Sequence, residues 1–263
     1  MSFMALQVKQ FKEVHYNELN TGVVELLKKI INDGVTDEFY KWVDRDTFHK
    51  HKNDDDWFGG LLSTCWSFGN NKLKGYLFSP ENERLKKPLH NIIVNRCDHS
   101  IKEFYELTGL MVEPNLLVKD NIQKRRLDVM NFVKKSIGRF TLEHIEHLER
   151  IQHLEHLQNL ERLTITNKSY EDVEINTPID ETVIYLDPPY QGTEKYQHDI
   201  DFEKLYDYIR NSPCKIYISS YDMPFECVAE FEHRSTLSST NNNKKVIEKL
   251  FCNQKEKIQT RLF

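Results

Sequence analysis

The chain has 263 residues, 39% of them hydrophobic and 29% charged, with a formal net charge of −5. That length suits one large domain or a domain with an insertion, able to bury a substantial core. The composition reads as soluble and globular and argues against a membrane protein: no apolar run approaches a membrane span, and no charged-then-apolar leader is seen.

Cys65, Cys97, Cys214, Cys227 and Cys252 are odd in number and form no C-x-x-C pair. They read as reduced thiols in a cytosol, not as disulfides or a zinc site. The negative total hides an uneven distribution. Seven basic residues against two acidic ones lie between Lys119 and Arg139, and six against two between Lys72 and Arg96. One basic stretch is ordinarily a solvated helix face. Two in succession suit a phosphate-backbone surface equally well, and Arg125 and Arg126 are the expected contacts in the stretch from Lys119 to Arg139.

In chain order, Val14 and Tyr16 alternate as a strand. Asn20 or Thr21 then caps a helix whose expected apolar face is Val23, Leu26, Leu27, Ile30 and Ile31. Asn17-Glu18-Leu19-Asn20 therefore lies at a strand's C-terminal end, where nucleotide-binding α/β domains place an acid on ribose. Residues 33–56 are polar and acidic, with Phe39 and Trp42 as helix anchors and Asp54-Asp55-Asp56 as a solvated loop. Trp57, Phe58 and Trp66 read as packing residues. The stretch from Gly69 to Gly75 suits a hairpin or exposed loop, in which Asn70, Asn71, Lys72 and Lys74 can reach phosphates or base edges. Ile92–Leu107 and Ile122–Ile137 read as helices. Asn121 caps the second, and Leu127, Met130, Val133 and Ile137 form its stripe.

Residues 142–163 place Leu or Ile at every third position. A strict three-residue step drifts by about −60° each time on a helix of 3.6 residues per turn, so no single buried face follows. The stretch is expected to be a low-complexity expansion leading into a strand. His144, His147, His153 and His156 fill its polar positions and are not expected to bind metal. Leu163-Thr164-Ile165-Thr166 is that strand, before Asn167 and Tyr170.

Val183-Ile184-Tyr185-Leu186 reads as a buried strand, and it runs out into Asp187-Pro188-Pro189-Tyr190. This tetrapeptide suits the alkylation of an amino group on a planar ring, whose lone pair is conjugated into the ring. The Asp187 carboxylate and the Pro188 carbonyl can each accept one N–H and draw that pair out. Pro189 and Pro188 restrict the residues before them to extended geometry. Tyr190 offers a face for stacking, worth about 1–3 kcal/mol by analogy with single-strand binders. With the ring used and not the hydroxyl, Tyr190→Phe is expected to be mild and Tyr190→Ala severe. Gln191–Asp201 reads as a loop, Phe202–Ile209 as a helix, and Lys215–Ile218 as a strand leading into Ser219-Ser220-Tyr221-Asp222.

Asp-Pro-Pro-Tyr, with Asp first, resembles the motif of S-adenosylmethionine (SAM)-dependent amino-methyltransferases. More narrowly, it resembles the Dam-type D12 class of DNA adenine-N6 methyltransferases. Asn17–Asn20 is similar to that family's N-D-I-N motif, with Glu18 for Asp, and Ile218–Asp222 to its I-S-N-x-D stretch. Arg234-Ser-Thr-Leu-Ser238-Ser239 with Lys244-Lys245-x-x-Glu248-x-Leu250 is similar to its C-terminal hairpin.

The resemblance implies an α/β SAM-dependent methyltransferase (Rossmann-like) sandwich in which 1–54 and 141–263 form the catalytic domain. It makes 55–140 a mostly helical DNA-recognition insertion. It implies SAM as cofactor, no metal and no membrane. The partner is double-stranded DNA with its target adenine flipped out, in the cytoplasm of a bacterial or phage-infected cell. Asp187, Pro188, Pro189 and Tyr190 would be catalytic, and Glu18, Asn167, Tyr170 and Asp187 would face the cofactor. Asn70, Asn71, Lys72, Lys74, Arg125, Arg126, Ser238, Ser239 and Lys244 would face DNA. The family opens with a lysine-bearing motif and an F-x-G-x-G-type loop, whereas Met1–Gln10 contain no glycine. The sandwich is thus expected to be N-terminally incomplete, the piece being either lost or supplied by a separate N-terminal fragment. The alternatives are an inactive DNA-binding remnant and a cytosine-N4 methyltransferase.

Overall fold

The computed structural model describes residues 7–68, 75–137, 145–157, 159–190, 200–234 and 245–254. The chain divides into two compact units, residues 2–169 and residues 170–263.

In the first unit, β1 (Val14–Asn17) pairs in parallel with β2 (Leu163–Thr166), Val14 opposite Leu163 and Asn17 opposite Thr166. Between them comes a helical body. Helix α1 (Thr21–Asp33) starts where the Asn20 side chain accepts from the Val23 amide. It ends at Gly34, whose φ of +74° lies where a side chain is strained. Its buried face is Val24, Leu26, Leu27 and Ile30. The face is turned from the expected one: Val24 replaces Val23, and Ile31 is exposed.

Asp44 caps α2 (Arg45–His51), and Asp56 caps α3 (Trp57–Leu61) through the Gly59 amide at 2.8 Å. Asp54 bonds the His51 ring at 2.7 Å. The acidic triplet is therefore a helix start and not merely a solvated loop. Helices α1 and α3 meet backbone to backbone. A Cβ on Gly60 would stand 2.0 Å from the Gly22 carbonyl oxygen, and one on Gly59 2.1 Å from that of Asp54.

The predicted helix Ile92–Leu107 is two helices, α4 (Pro80–Asn95) and α5 (Asp98–Thr108), broken at Arg96, a left-handed residue with φ 53°. In α6 (Ile122–Ile137), Val129, Met130 and Val133 are buried, whereas the predicted Leu127 is exposed. Helix α7 (Glu146–Glu155) carries Leu148, Ile151 and Leu154 of the leucine triplets, with Ile145 just before it. Ile145, Leu148 and Ile151 are fully buried, while Leu154, Leu157 and Leu160 are only partly so. The drift of a three-residue step accounts for Leu154, where the row rotates off the core side; Leu157 and Leu160 follow the end of the helix.

One apolar core serves this body. Phe39 and Phe48 pack in it together with Leu61, Trp66, Phe104 and Ile151. The expected cut at 54/55 does not coincide with a break in packing, because α1 and α2 share their core with α3 to α7. Trp66 is wholly buried and Trp57 and Phe58 pack on the core, as their sequence context predicts.

In the second unit, β3 (Val183–Leu186), β4 (Lys215–Ser220), β5 (Glu226–Arg234) and β6 (Lys245–Cys252) form a sheet of order β3-β4-β6-β5. β3 and β4 are parallel, with Leu186 opposite Ile218. Helix α8 (Phe202–Asn211), capped by Asp201, supplies the crossover that a parallel pair requires. Its Leu205, Tyr206 and Ile209 bury against Ile216, Ile218 and Phe251. β5 and β6 pair antiparallel from Arg234↔Lys245 to Glu226↔Cys252, with an irregularity between Cys227 and Ala229. These are the two arms of the predicted hairpin; its tip, with Ser238, Ser239 and Lys244, lies outside the described residues.

Candidate active site

In the second unit, Asp187 leaves the C-terminal end of β3 with its side chain exposed, and Pro188, Pro189 and Tyr190 are half-buried behind it. An exposed carboxylate at a strand end is open to a ligand. The neighbouring strand fixes its direction. Ser219 of β4, itself 4% exposed, donates its hydroxyl to Asp187 Oδ1 at 2.8 Å. The Tyr185 hydroxyl donates to Ser219 Oγ at 2.9 Å. The Asp187 carboxylate can only accept, so the single serine proton is directed to it, and a Ser219 lone pair is left to accept from Tyr185. The chain Tyr185 → Ser219 → Asp187 is polarised toward the carboxylate and anchors it through Oδ1.

Register is what brings these groups together. Tyr185 sits opposite Tyr217 and Leu186 opposite Ile218 in the parallel β3–β4 pair, so the residue following each strand's paired segment comes level with its neighbour. On the other side of the corner, the Tyr190 hydroxyl donates to Glu248 Oε1 of β6 at 2.5 Å. The Tyr190 ring meets the Tyr221 ring edge-on, centroids 4.7 Å apart and planes at 77°. Burial, then the Glu248 carboxylate, hold the Tyr190 phenol well above its ordinary range. Burial also raises Tyr185. Both phenols are therefore protonated donors at neutral pH.

In the first unit, Glu18 follows β1 directly. Its Oε2 accepts from the Tyr16 hydroxyl at 2.9 Å and its Oε1 from the Asn20 amide at 2.8 Å. Each carboxylate oxygen keeps a further lone pair. The half-buried side chain is thus an oriented acceptor just before the N-terminus of α1. Asn167, at the end of β2, donates to the Glu18 and Leu19 carbonyls at 2.8 and 3.0 Å and accepts from Thr21. Its amide is engaged in bracing the loop that carries Glu18. Tyr170, in the other unit, packs edge-on to Tyr208 and bonds Glu171, and burial pushes its phenol up to about 12.

The expected DNA contacts divide into two groups. Asn70, Asn71, Lys72 and Lys74 lie outside the described residues. Arg125 and Arg126 are a correction: they are 3% and 6% exposed and face inward. Arg125 donates to the carbonyls of Ile93, Val94, Lys119 and Asp120, satisfying the C-terminal end of α4. Arg126 reaches Gln123, Glu149 and Gln152. Neither guanidinium is presented to a phosphate. Three histidines of the triplet stretch are described. His147 is buried against Trp66, whereas His153 and His156 are exposed and His144 lies outside the described residues.

Sequence reasoning missed Tyr185, Ser219, Tyr221 and Glu248 as parts of the site. The signal was present, because three of them fall within stretches resembling family motifs. A role for each needs the sheet order, which places β4 and β6 beside one another.

The family described as D12 class N6 adenine-specific DNA methyltransferase matches residues 2–259 of the chain. No curated protein matches it. Among the described residues, no helix is long and apolar enough to cross a membrane.

Proposed function

The chain belongs to the D12 class of N6 adenine-specific DNA methyltransferases, and on that premise we propose that it methylates adenine N6 within a specific DNA site. The class implies SAM, which supplies the electrophilic methyl group when bound. The residues of this chain do the rest. Asp187 accepts one amino hydrogen of the target base and the Pro188 carbonyl the other. Loss of conjugation leaves the nitrogen lone pair free to attack, and the proton that the nitrogen must then lose leaves by way of Asp187 to solvent. Tyr190 stacks on the base, and Pro189 holds the corner extended.

The base must leave the duplex, since N6 is paired inside the stack. Glu18 is the residue for the ribose hydroxyls: its carboxylate is already aimed by Tyr16 and Asn20 and retains lone pairs for two more donors. Asn167 supports that loop. DNA contact by Asn70, Asn71, Lys72, Lys74, Ser238, Ser239 and Lys244 and a recognition role for 55–140 belong to the same proposal.

The observation that carries this reading is the exposed Asp187 carboxylate at the end of β3 with one oxygen anchored by Ser219. An anchored carboxylate loses little freedom on receiving the amine. The test is transfer of labelled methyl from SAM to unmodified DNA, followed by digestion and identification of the base. N6-methyladenine is expected; N4-methylcytosine would overturn the choice of base, and no SAM binding at millimolar concentration would favour the inactive remnant.

A separate polypeptide segment is a proposed partner, on one further observation. Among the described residues β3 pairs only with β4, and its sequence Val-Ile-Tyr-Leu has none of the charge, proline or bulge that protects an open edge.

A further inference from the structure

We propose that Glu248 is a positioning residue for the catalytic corner, acting through the Tyr190 hydroxyl; the proposal rests on the methyl-transfer reading above. Glu248 sits on β6, 58 residues beyond Tyr190, and accepts the phenol proton in a short hydrogen bond. A tyrosine at the rim of a site turns freely about two side-chain bonds. Here its far end is tied to a carboxylate, and the Tyr221 ring meets it in a T-shaped contact with centroids 4.7 Å apart. Together these set both where the ring points and how its plane lies.

The chemistry of the pair suits a lasting tether. A hydrogen bond to a carboxylate is stronger than one between neutral groups. Burial and Glu248 keep the phenol protonated, so it donates throughout the neutral range. Lys249, the next residue, pairs instead with Glu230 on β5, at 3.8 Å. The C-terminal hairpin therefore reaches the site through β6: Lys244-Lys245-x-x-Glu248 has its glutamate at the corner that handles the base. The tether also changes what the ring needs. If a stacking face alone mattered, Tyr190→Phe would be harmless; with the hydroxyl holding the ring in place, the phenylalanine variant is impaired.

The test uses the full chain and the variants Glu248→Ala, Glu248→Gln, Tyr190→Phe and Glu248→Ala/Tyr190→Phe. Two double-mutant cycles are read, one in kcat for methyl transfer and one in urea unfolding. Glu248→Ala and Tyr190→Phe should each lower kcat about tenfold, the size of one hydrogen bond to a charged group. The KM for SAM should stay within about twofold, since the tether acts on the ring and not on the cofactor. The double variant should be no worse than either single one, in kcat and in unfolding alike. Glu248→Gln, which still accepts from the phenol, should recover most of the activity.

Near-normal kcat in Glu248→Ala, or additive losses in the double variant, would overturn the proposal. A wild-type chain that transfers no methyl group would sink the reaction and the positioning role with it. Coupling in the unfolding cycle would then still register the tether, so the two failures are told apart.

Discussion

Ser219 Oγ donates to Asp187 Oδ1 at 2.8 Å, from a strand that enters the sheet 32 residues later in the chain. The hydroxyl is itself pinned by Tyr185. The acceptor that the proposed chemistry needs is therefore oriented before any base arrives. Asp187→Ala should lower kcat by at least about 10²-fold while DNA binding persists. Ser219→Ala should cost about 10-fold in kcat, leaving the KM values for SAM and DNA nearly unchanged. Steady-state kinetics with filter-binding controls separate these effects. An Asp187→Ala enzyme with near-normal turnover would mean that the amine is activated elsewhere.

Glu18 gives a prediction in the other unit. Its two oxygens are held by Tyr16 and Asn20, so the residue is rigid before any ligand binds. Glu18→Gln keeps the size but removes the charge that ribose hydroxyls would bond to. SAM affinity should drop by about 10-fold, one charge-assisted hydrogen bond. Calorimetry measures this directly, and unchanged affinity would place the ribose on other groups.

Arg125 should matter for stability and not for DNA. Its guanidinium satisfies four backbone carbonyls, two of them at the end of α4. Arg125→Ala removes a buried guanidinium and leaves the Ile93 and Val94 carbonyls at the end of α4 without their donor, at a cost of about 3 kcal/mol. The urea midpoint should fall sharply, while the salt dependence of DNA binding keeps its slope. A reduced slope would restore the residue to the DNA surface.

Acid should weaken the first unit. His90 Nδ1 and His147 Nε2 share a hydrogen bond of 2.9 Å among Trp42, Trp66 and Phe78. Burial lowers both rings, His90 to about 3 and His147 well below its ordinary value, with Lys86 and Arg150 adding to the depression of the second. In the unfolded chain both titrate near about 6.5. Between those values the unfolded state holds protons that the folded state refuses, so stability falls as pH drops below about 6.5 and is unaffected by these rings above it. The loss approaches about 1.4 kcal/mol per pH unit for each ring. Urea midpoints at pH 7.5 and 5.5 test this, and a variant with His147→Phe should show a shallower slope.

Gly60→Ala should be severely destabilising. Its Cβ would fall 2.0 Å from the Gly22 carbonyl oxygen, and backbone cannot move aside as a side chain can. Separating α1 from α3 should cost at least about 3 kcal/mol, the upper range for overpacking. Gly34→Ala, strained by its φ of +74° but meeting nothing within 4 Å, should cost only about 1 kcal/mol. Comparing the two midpoints separates steric contact from backbone strain.

Much of this molecule is local, and the local part was legible in the sequence. The apolar and β-branched patterns that mark strands β1 to β4, the caps at Asn20 and Asn121, and helices α1, α6 and α8 are set by residues only a few positions apart. The Asp-Pro-Pro-Tyr corner reads the same way, since proline restricts its own backbone and that of the residue before it. Arg125 and Arg126 were misread because charge alone does not say which way a side chain turns. Only the ends of helices approaching from elsewhere made an inward guanidinium worthwhile. The triplet leucines carried their own helical drift, yet where the row stops being buried depended on the body they pack against. Ser219 and Glu248 fall in stretches that resemble family motifs, but their partners depended on tertiary structure. Their partners lie 32 and 58 residues away, and parallel pairing with one insertion of β6 between β4 and β5 is what closes those distances to hydrogen-bond length.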